Sequence, residues 1–123
     1  MFTWQLQVLA RRCWFKVCVI VRDVERTARN YADILGFDVP DEIQITCEHD
    51  HTHALYYGNP MNARAKIICF EIGKIQYELL QPLDNGSVWM DFLQQHGEGV
   101  HHIAFFVPKT DGAAESFAEH GYH

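Results

Sequence analysis

The chain has 123 residues, 48% of them hydrophobic and 21% charged, with a formal net charge of −6. That is enough apolar material for one core and one domain. The acidic balance, with no basic cluster denser than Arg11-Arg12 and Lys16, excludes nucleic acid and anionic membrane as partners, and no apolar run is long enough to span a bilayer.

Residues 1–15 carry no acidic residue, and their arginines follow the apolar stretch rather than precede it. They read as an N-terminal arm or strand, not as a secretory leader. Trp14–Val21 is a continuous β-branched and aromatic run, hence a buried strand. Asp23 is a good N-cap. Val24, Ala28, Tyr31 and Leu35 recur at helical spacing, and Gly36 ends the helix. Glu42–Cys47 predicts a short strand. Residues 48–63 are polar, and Gly58-Asn59-Pro60 marks them as loop. Arg64–Ile72 and Ile75–Leu80 are two strands joined by Gly73-Lys74, and Pro82 stops the second. Asp84-Asn85-Gly86 is a turn. Ser87 caps a helix with the stripe Val88, Trp89, Phe92 and Leu93, which ends at Gly97. Val100–Val107 is the next strand. Residues 110–120 form a last helix with Ala114, Phe117 and Ala118 facing inward, stopped by Gly121.

Two parts of this pattern repeat. VCVIVRDVERTARNYADILGF (17–37) and IAFFVPKTDGAAESFAEHGY (103–122) align with an offset of 86, both at Val17 with Ile103 and at Val21 with Val107. Each is a strand, an amphipathic helix and a glycine stop, which indicates a duplicated unit. The first copy continues into further strands, whereas the second ends after its helix.

Four cysteines occur, Cys13, Cys18, Cys47 and Cys69, with no C-x-x-C pair. Buried reduced thiols, and therefore a cytoplasmic location, are the expectation. In GVHHIAFFV, His101 and His102 point to opposite faces of a regular strand. At most one of them reaches a given site unless a bulge intervenes. Glu78 stands in the apolar strand KIQYELLQP, on one face with Gln76 and Leu80. Either that face is half-solvated, or Glu78 is a ligand or base in a cleft. Glu48-His49-Asp50-His51-Thr52-His53 resembles a metal cluster but lies in polar loop sequence, and reads as a solvated loop. No serine-histidine-aspartate elbow and no phosphate-binding glycine loop is present.

With VIVRDVERTARNYADILGF, YYGNPMNARAKIICFEIGKIQYELLQPL and SVWMDFLQQHGEGVHHIAFFV, the chain resembles the vicinal oxygen chelate superfamily over residues 16–123. This is the group of glyoxalase I, methylmalonyl-CoA epimerase and bleomycin-resistance proteins. The resemblance implies an α+β fold of paired βαβββ modules curled into an open half-barrel cleft. Module one would be residues 16–83, a connecting helix 87–97, and module two residues 100–123, cut short after its helix.

The resemblance further implies a divalent metal ion. Its ligands would be His102 on the first strand of module two and Glu78 on the last strand of module one. The matching first-strand position of module one is Lys16, which has no lone pair to donate. The fourth ligand, usually a glutamate, falls beyond His123. A partner subunit in a homodimer, or the arm 1–15, would have to complete such a site.

The implied chemistry is that of a lyase or isomerase. Proton abstraction and enolate stabilisation would act on a small 2-oxo or acyl-thioester substrate. Glu78 would be ligand and base, and Glu48 a second acid. Two alternatives share the same features: a non-catalytic protein that binds a small molecule, and a fragment that lacks a complete site.

Overall fold

A computed structural model describes residues 15–46, 55–107 and 109–123. Its elements in chain order are β1 (Phe15–Ile20), α1 (Val24–Leu35), β2 (Gln44–Thr46), β3 (Leu55–Tyr56), β4 (Asn59–Pro60), β5 (Ala65–Ile72), β6 (Ile75–Pro82), α2 (Val88–His96), β7 (Gly99–Phe105) and α3 (Thr110–Glu119). The arm 1–14, Cys13 and residues 47–54, which include Cys47 and Glu48, lie outside the described residues.

Five strands form one unclosed sheet in the order β2-β5-β6-β1-β7. β1 runs parallel to β6 and antiparallel to β7. The fold is α+β, as expected. The β-α-β-β-β order of β1, α1, β2, β5 and β6 holds, with a small hairpin, β3–β4, between β2 and β5.

The local signals act as their chemistry demands. Asp23 accepts the amide of Arg26 at 3.0 Å and starts α1. Gly36, at φ 77°, ends it in the left-handed region that a side chain disfavours. Ser87 accepts the amide of Met90 at 3.1 Å and starts α2. The stretch taken as loop contains a hairpin instead. Its central residues Tyr57 and Gly58 both have positive φ, 48° and 79°. That twist matches a two-residue turn between antiparallel strands, and a tyrosine at the first position hides it from sequence reading.

Two apolar layers cover the two faces of the sheet. On one, α1 packs Val24 and Ala28 against Val19, Val21, Ile68, Phe70 and Leu79. Tyr31 and Tyr77 meet there through their hydroxyls at 3.1 Å. On the other, concave face, α2 brings Trp89, Phe92 and Leu93 against Cys18, Ile20, Ala65, Ile67 and Leu80.

Several residues expected inside are outside. Leu35 and Val88 are exposed, because each lies at an end of its helix, past the strands that cover the rest. Ala114, Phe117 and Ala118 of α3 are also exposed. The face of α1 is buried by β1 before it and by β5 and β6 after it, and no described strand follows α3.

Arg64, just ahead of β5, is tied to the turn after β6. Its amide and its Nε both reach Asp84 Oδ2 at 2.9 Å, and Nη2 reaches Oδ1 at 3.1 Å. These hydrogen bonds, the guanidinium first, hold the Asp84 carboxyl down at about 2. A depressed carboxyl stabilises the fold above its unfolded value, 3.8, and that contribution fades as pH falls through about 2. Asp84→Asn should therefore unfold at lower urea than the unaltered chain at neutral pH, and the gap should close in acid. Leu79 is fully buried under α1, so Leu79→Ala should cost about 2–5 kcal/mol in the same urea titration.

Candidate functional site

Strand register sets the site. Cys69 of β5 pairs with Glu78 of β6, Glu78 pairs with Cys18 of β1, and Cys18 pairs with His102 of β7. One row thus crosses four strands on the concave face, beside the apolar patch under α2. Lys16 is two residues from Cys18 on β1 and points to the same side.

The repeat becomes geometric here. Val17 and Ile103, equivalent by the 86-residue offset, are direct partners across β1 and β7. The same offset relates Lys16 to His102 and Cys18 to Ala104 (102−16 and 104−18). These pair crosswise, Lys16 with Ala104 and Cys18 with His102. Lys16 and His102 are therefore matching positions about a local two-fold axis.

Glu78 is buried, and a carboxylate there requires donors. Lys16 Nζ is 3.3 Å from Glu78 Oε2, with the two side chains 24% and 10% exposed. Cys69 Sγ lies 4.0 Å from the same oxygen. The buried Cys18 thiol bonds to Glu78 as well. Burial first, then the Glu78 carboxylate, pushes the Cys18 thiol far above its ordinary value, so it stays protonated.

His101 and His102 are brought together, against the alternation expected of a regular strand. Pairing steps from Cys18–His102 to Val19–Val100, which leaves His101 as the extra residue of a bulge. The two Nδ1 atoms are 2.8 Å apart, so one ring donates to the other. His101 also stands edge-on to Phe92, ring centroids 5.1 Å apart. Burial lowers both imidazoles below 6.5, and for His102 the neighbouring His101 and Lys16 add to the effect. Both rings favour the neutral form at neutral pH.

The structure thus brings together Glu78 and His102, the residues singled out in the sequence, and adds Cys18, Cys69, His101 and the Lys16 ion pair. The signals for the additions were period-two spacing from Lys16 to Cys18 and the adjacent histidines. What sequence lacked was the register that aligns β5 and β1 on Glu78. A cavity of about 380 Å³ lies elsewhere, at the β3–β4 hairpin, lined by Tyr56, Tyr57, Asn62 and Asp84 among others. Asp84 is already engaged by Arg64 there, and among the described residues that line it Asp84 is the one carboxylate.

Cys18, Glu78 and His102 present donor atoms within 4.8 Å of one another. A sulfur, an oxygen and a nitrogen would by themselves suit a thiophilic divalent ion. Their surroundings do not fit one. The Lys16 ammonium already occupies Glu78 at 3.3 Å, on the side where an ion would have to sit. A divalent ion about 4 Å from an ammonium is repelled by roughly 8 kcal/mol at an effective dielectric of about 20.

The chain belongs to the glyoxalase/bleomycin resistance protein/dioxygenase superfamily, whose family model matches residues 15–123. Solved structures share its fold. Streptomyces coelicolor methylmalonyl-CoA epimerase in complex with 2-nitronate-propionyl-CoA superposes with a TM-score of 0.61 at 22% identity, over 89% of this chain and 71% of that one. A hypothetical protein from Bacillus halodurans C-125 gives 0.62 at 25% identity, over 88% and 67%. Methylmalonyl-CoA epimerase from Mycobacterium tuberculosis gives 0.60 at 23%, over 86% and 62%. No curated protein sequence matches the chain. Among the described residues no helix is long and apolar enough to cross a membrane.

The inert state of Cys18 is directly measurable. Iodoacetamide at about pH 8 should leave the Cys18 peptide unlabelled in the folded chain and label it once urea is added. Labelling of the folded chain at the rate of an unfolded thiol would contradict this burial.

Proposed function

We propose that the chain is an isomerase or lyase that moves a carbon-bound proton next to the carbonyl of a small 2-oxo compound or acyl thioester. The observation that carries this reading is the convergence of a buried carboxylate, Glu78, and a neutral imidazole, His102, with an ammonium beside them. Removing such a proton calls for a base at the carbon and a donor at the oxygen where charge develops. His102 accepts a proton in its neutral form. Glu78, on the other side of Cys18 in the row, is the second base. One group takes the proton and the other returns it, to the opposite face for epimerisation or to the neighbouring carbon for a glyoxalase outcome. His101, in contact with His102 through Nδ1, holds the His102 ring in place by a shared hydrogen bond. Glu48 remains a candidate second acid. The divalent ion implied by the resemblance has no step in this scheme.

The substrate class is supported by the superfamily and by fold neighbours that are methylmalonyl-CoA epimerases, one of them in complex with a CoA ester. A second reading, ligand binding without turnover, draws support from the same ion pair, since a carboxylate held by an ammonium is a weaker base.

Deuterium wash-in separates the two. In heavy water, a 2-methyl-branched acyl-CoA or the hemithioacetal of methylglyoxal should lose its carbon-bound proton signal in the presence of the chain. Glu78→Gln and His102→Gln should each slow that loss about 10²–10⁴-fold. Ligand binding with no exchange in either substrate would establish the binding reading instead.

A further inference from the structure

We infer that Lys16 takes the place of a divalent cation in this site, and that the cleft binds an anionic oxygen group, a carboxylate or an enolate, on the lysine ammonium itself. The anion-binding half of this inference rests on the proton-transfer reading above; the exclusion of metal does not.

Three observations meet at Lys16. By the two-fold relation of β1 and β7, it holds the position equivalent to His102. Its Nζ reaches Glu78 Oε2 at 3.3 Å, so the positive charge that a buried carboxylate requires is built into the chain. Its side chain is also 24% exposed, which leaves it open to a ligand. An ammonium carries three donor hydrogens in a roughly tetrahedral array. Glu78 takes one, and the others are available to an oxygen placed beside His102. Such a group orients and stabilises charge by hydrogen bonding, without coordination.

Glu78 then has a different task from a metal ligand. It holds the ammonium on the concave face, where the long lysine stem would otherwise let the charge move out to water. Cys69 and Cys18, the neighbours of Glu78 in the row, fill the space on either side of the carboxylate with weak donors. Among the described residues, the carboxylate thus has donors beside it without an added ion.

The test uses the full chain and two probes. Cobalt(II) alone, followed by visible absorption and titration calorimetry, reports the metal. The unaltered chain should take up no stoichiometric cobalt. Lys16→His should gain about one equivalent, and the gain should vanish in the double variant Lys16→His, Glu78→Gln. Oxalate, an unreactive dianion resembling an enediolate, reports the anion. Its affinity should fall at least tenfold in Lys16→Met and be largely kept in Lys16→Arg, which retains the charge if the methionine variant fails to fold.

Stoichiometric cobalt on the unaltered chain, lost in Cys18→Ser, would overturn the inference in favour of a thiolate metal centre. Equal oxalate affinity with and without the ammonium would overturn its anion-binding half. A chain that refuses cobalt and binds oxalate through Lys16, yet exchanges no proton, would sink the enzyme reading while leaving this inference standing.

Discussion

A carboxylate withdrawn from water must be met by donors or positive charge, and Glu78 imposes that constraint on the whole concave face. The backbone cannot meet it, since β6 is paired on both sides by β5 and β1. The donors must therefore be side chains of those two strands. They are Cys69 from β5, with Cys18 and Lys16 from β1. The identity of the strand neighbours thus decides the chemistry available at the carboxylate. A histidine at position 16 would have offered a lone pair; a lysine offers a charge. The ion pair is mostly buried, so removing either partner would leave the other uncompensated. That asymmetry makes such a pair hard to change one residue at a time.

The local two-fold relation explains why the site lies where it does. Val17 faces Ile103 across β1 and β7, and the two equivalent positions, Lys16 and His102, fall on either side of that pair. Symmetry alone would place two like residues there. The chain departs from it twice, with lysine for histidine on β1 and with the bulge on β7. The bulge displaces the register by one residue, so His101 and His102 share a hydrogen bond instead of pointing apart. Bulges are a common device for re-aiming a side chain at a site, and here the device adds a hydrogen-bonding neighbour to His102.

Much of this was legible in the residues. The helix over 24–35 follows from Asp23, the apolar spacing and Gly36, and that over 88–96 from Ser87 and Gly97, because caps and periodicity are local chemistry. The long strands β5 and β6 follow from composition and from Gly73-Lys74. Glu78 stood out because a charge in an apolar strand is costly. Less was legible wherever pairing decides. Tyr57-Gly58 turns a hairpin without an asparagine to announce it. The bulge at His101 has no residue signature, since no glycine or proline marks it. Cys18 and Cys69 read as core thiols, and only the register of three strands places both against Glu78. Phe117 and its neighbours on α3 carry an apolar spacing whose burial depends on an element facing them, which spacing cannot supply.

The two faces of the sheet also divide the labour between folding and chemistry. The α1 face is closed by apolar packing, by the Tyr31–Tyr77 contact and by the Lys66–Glu25 ion pair. The concave face is apolar only where α2 covers it, around Ile20, Ala65 and Leu80. Beyond that cover, Lys16 and Glu78 lie two residues from Cys18 and Leu80, the nearest core residues of that face on their own strands, and His102 stands next to His101, which meets Phe92 of α2. Side chains there can differ from those of other superfamily members without disturbing the interlocked core, because their cost is electrostatic and is settled among themselves. This is why a lysine can stand at a position where the resemblance implies a metal ligand while the sheet, its order and its helices stay those of the superfamily. Fold and family are therefore read from the packed side and from the caps, whereas the proposed chemistry rests on the charges of the open side.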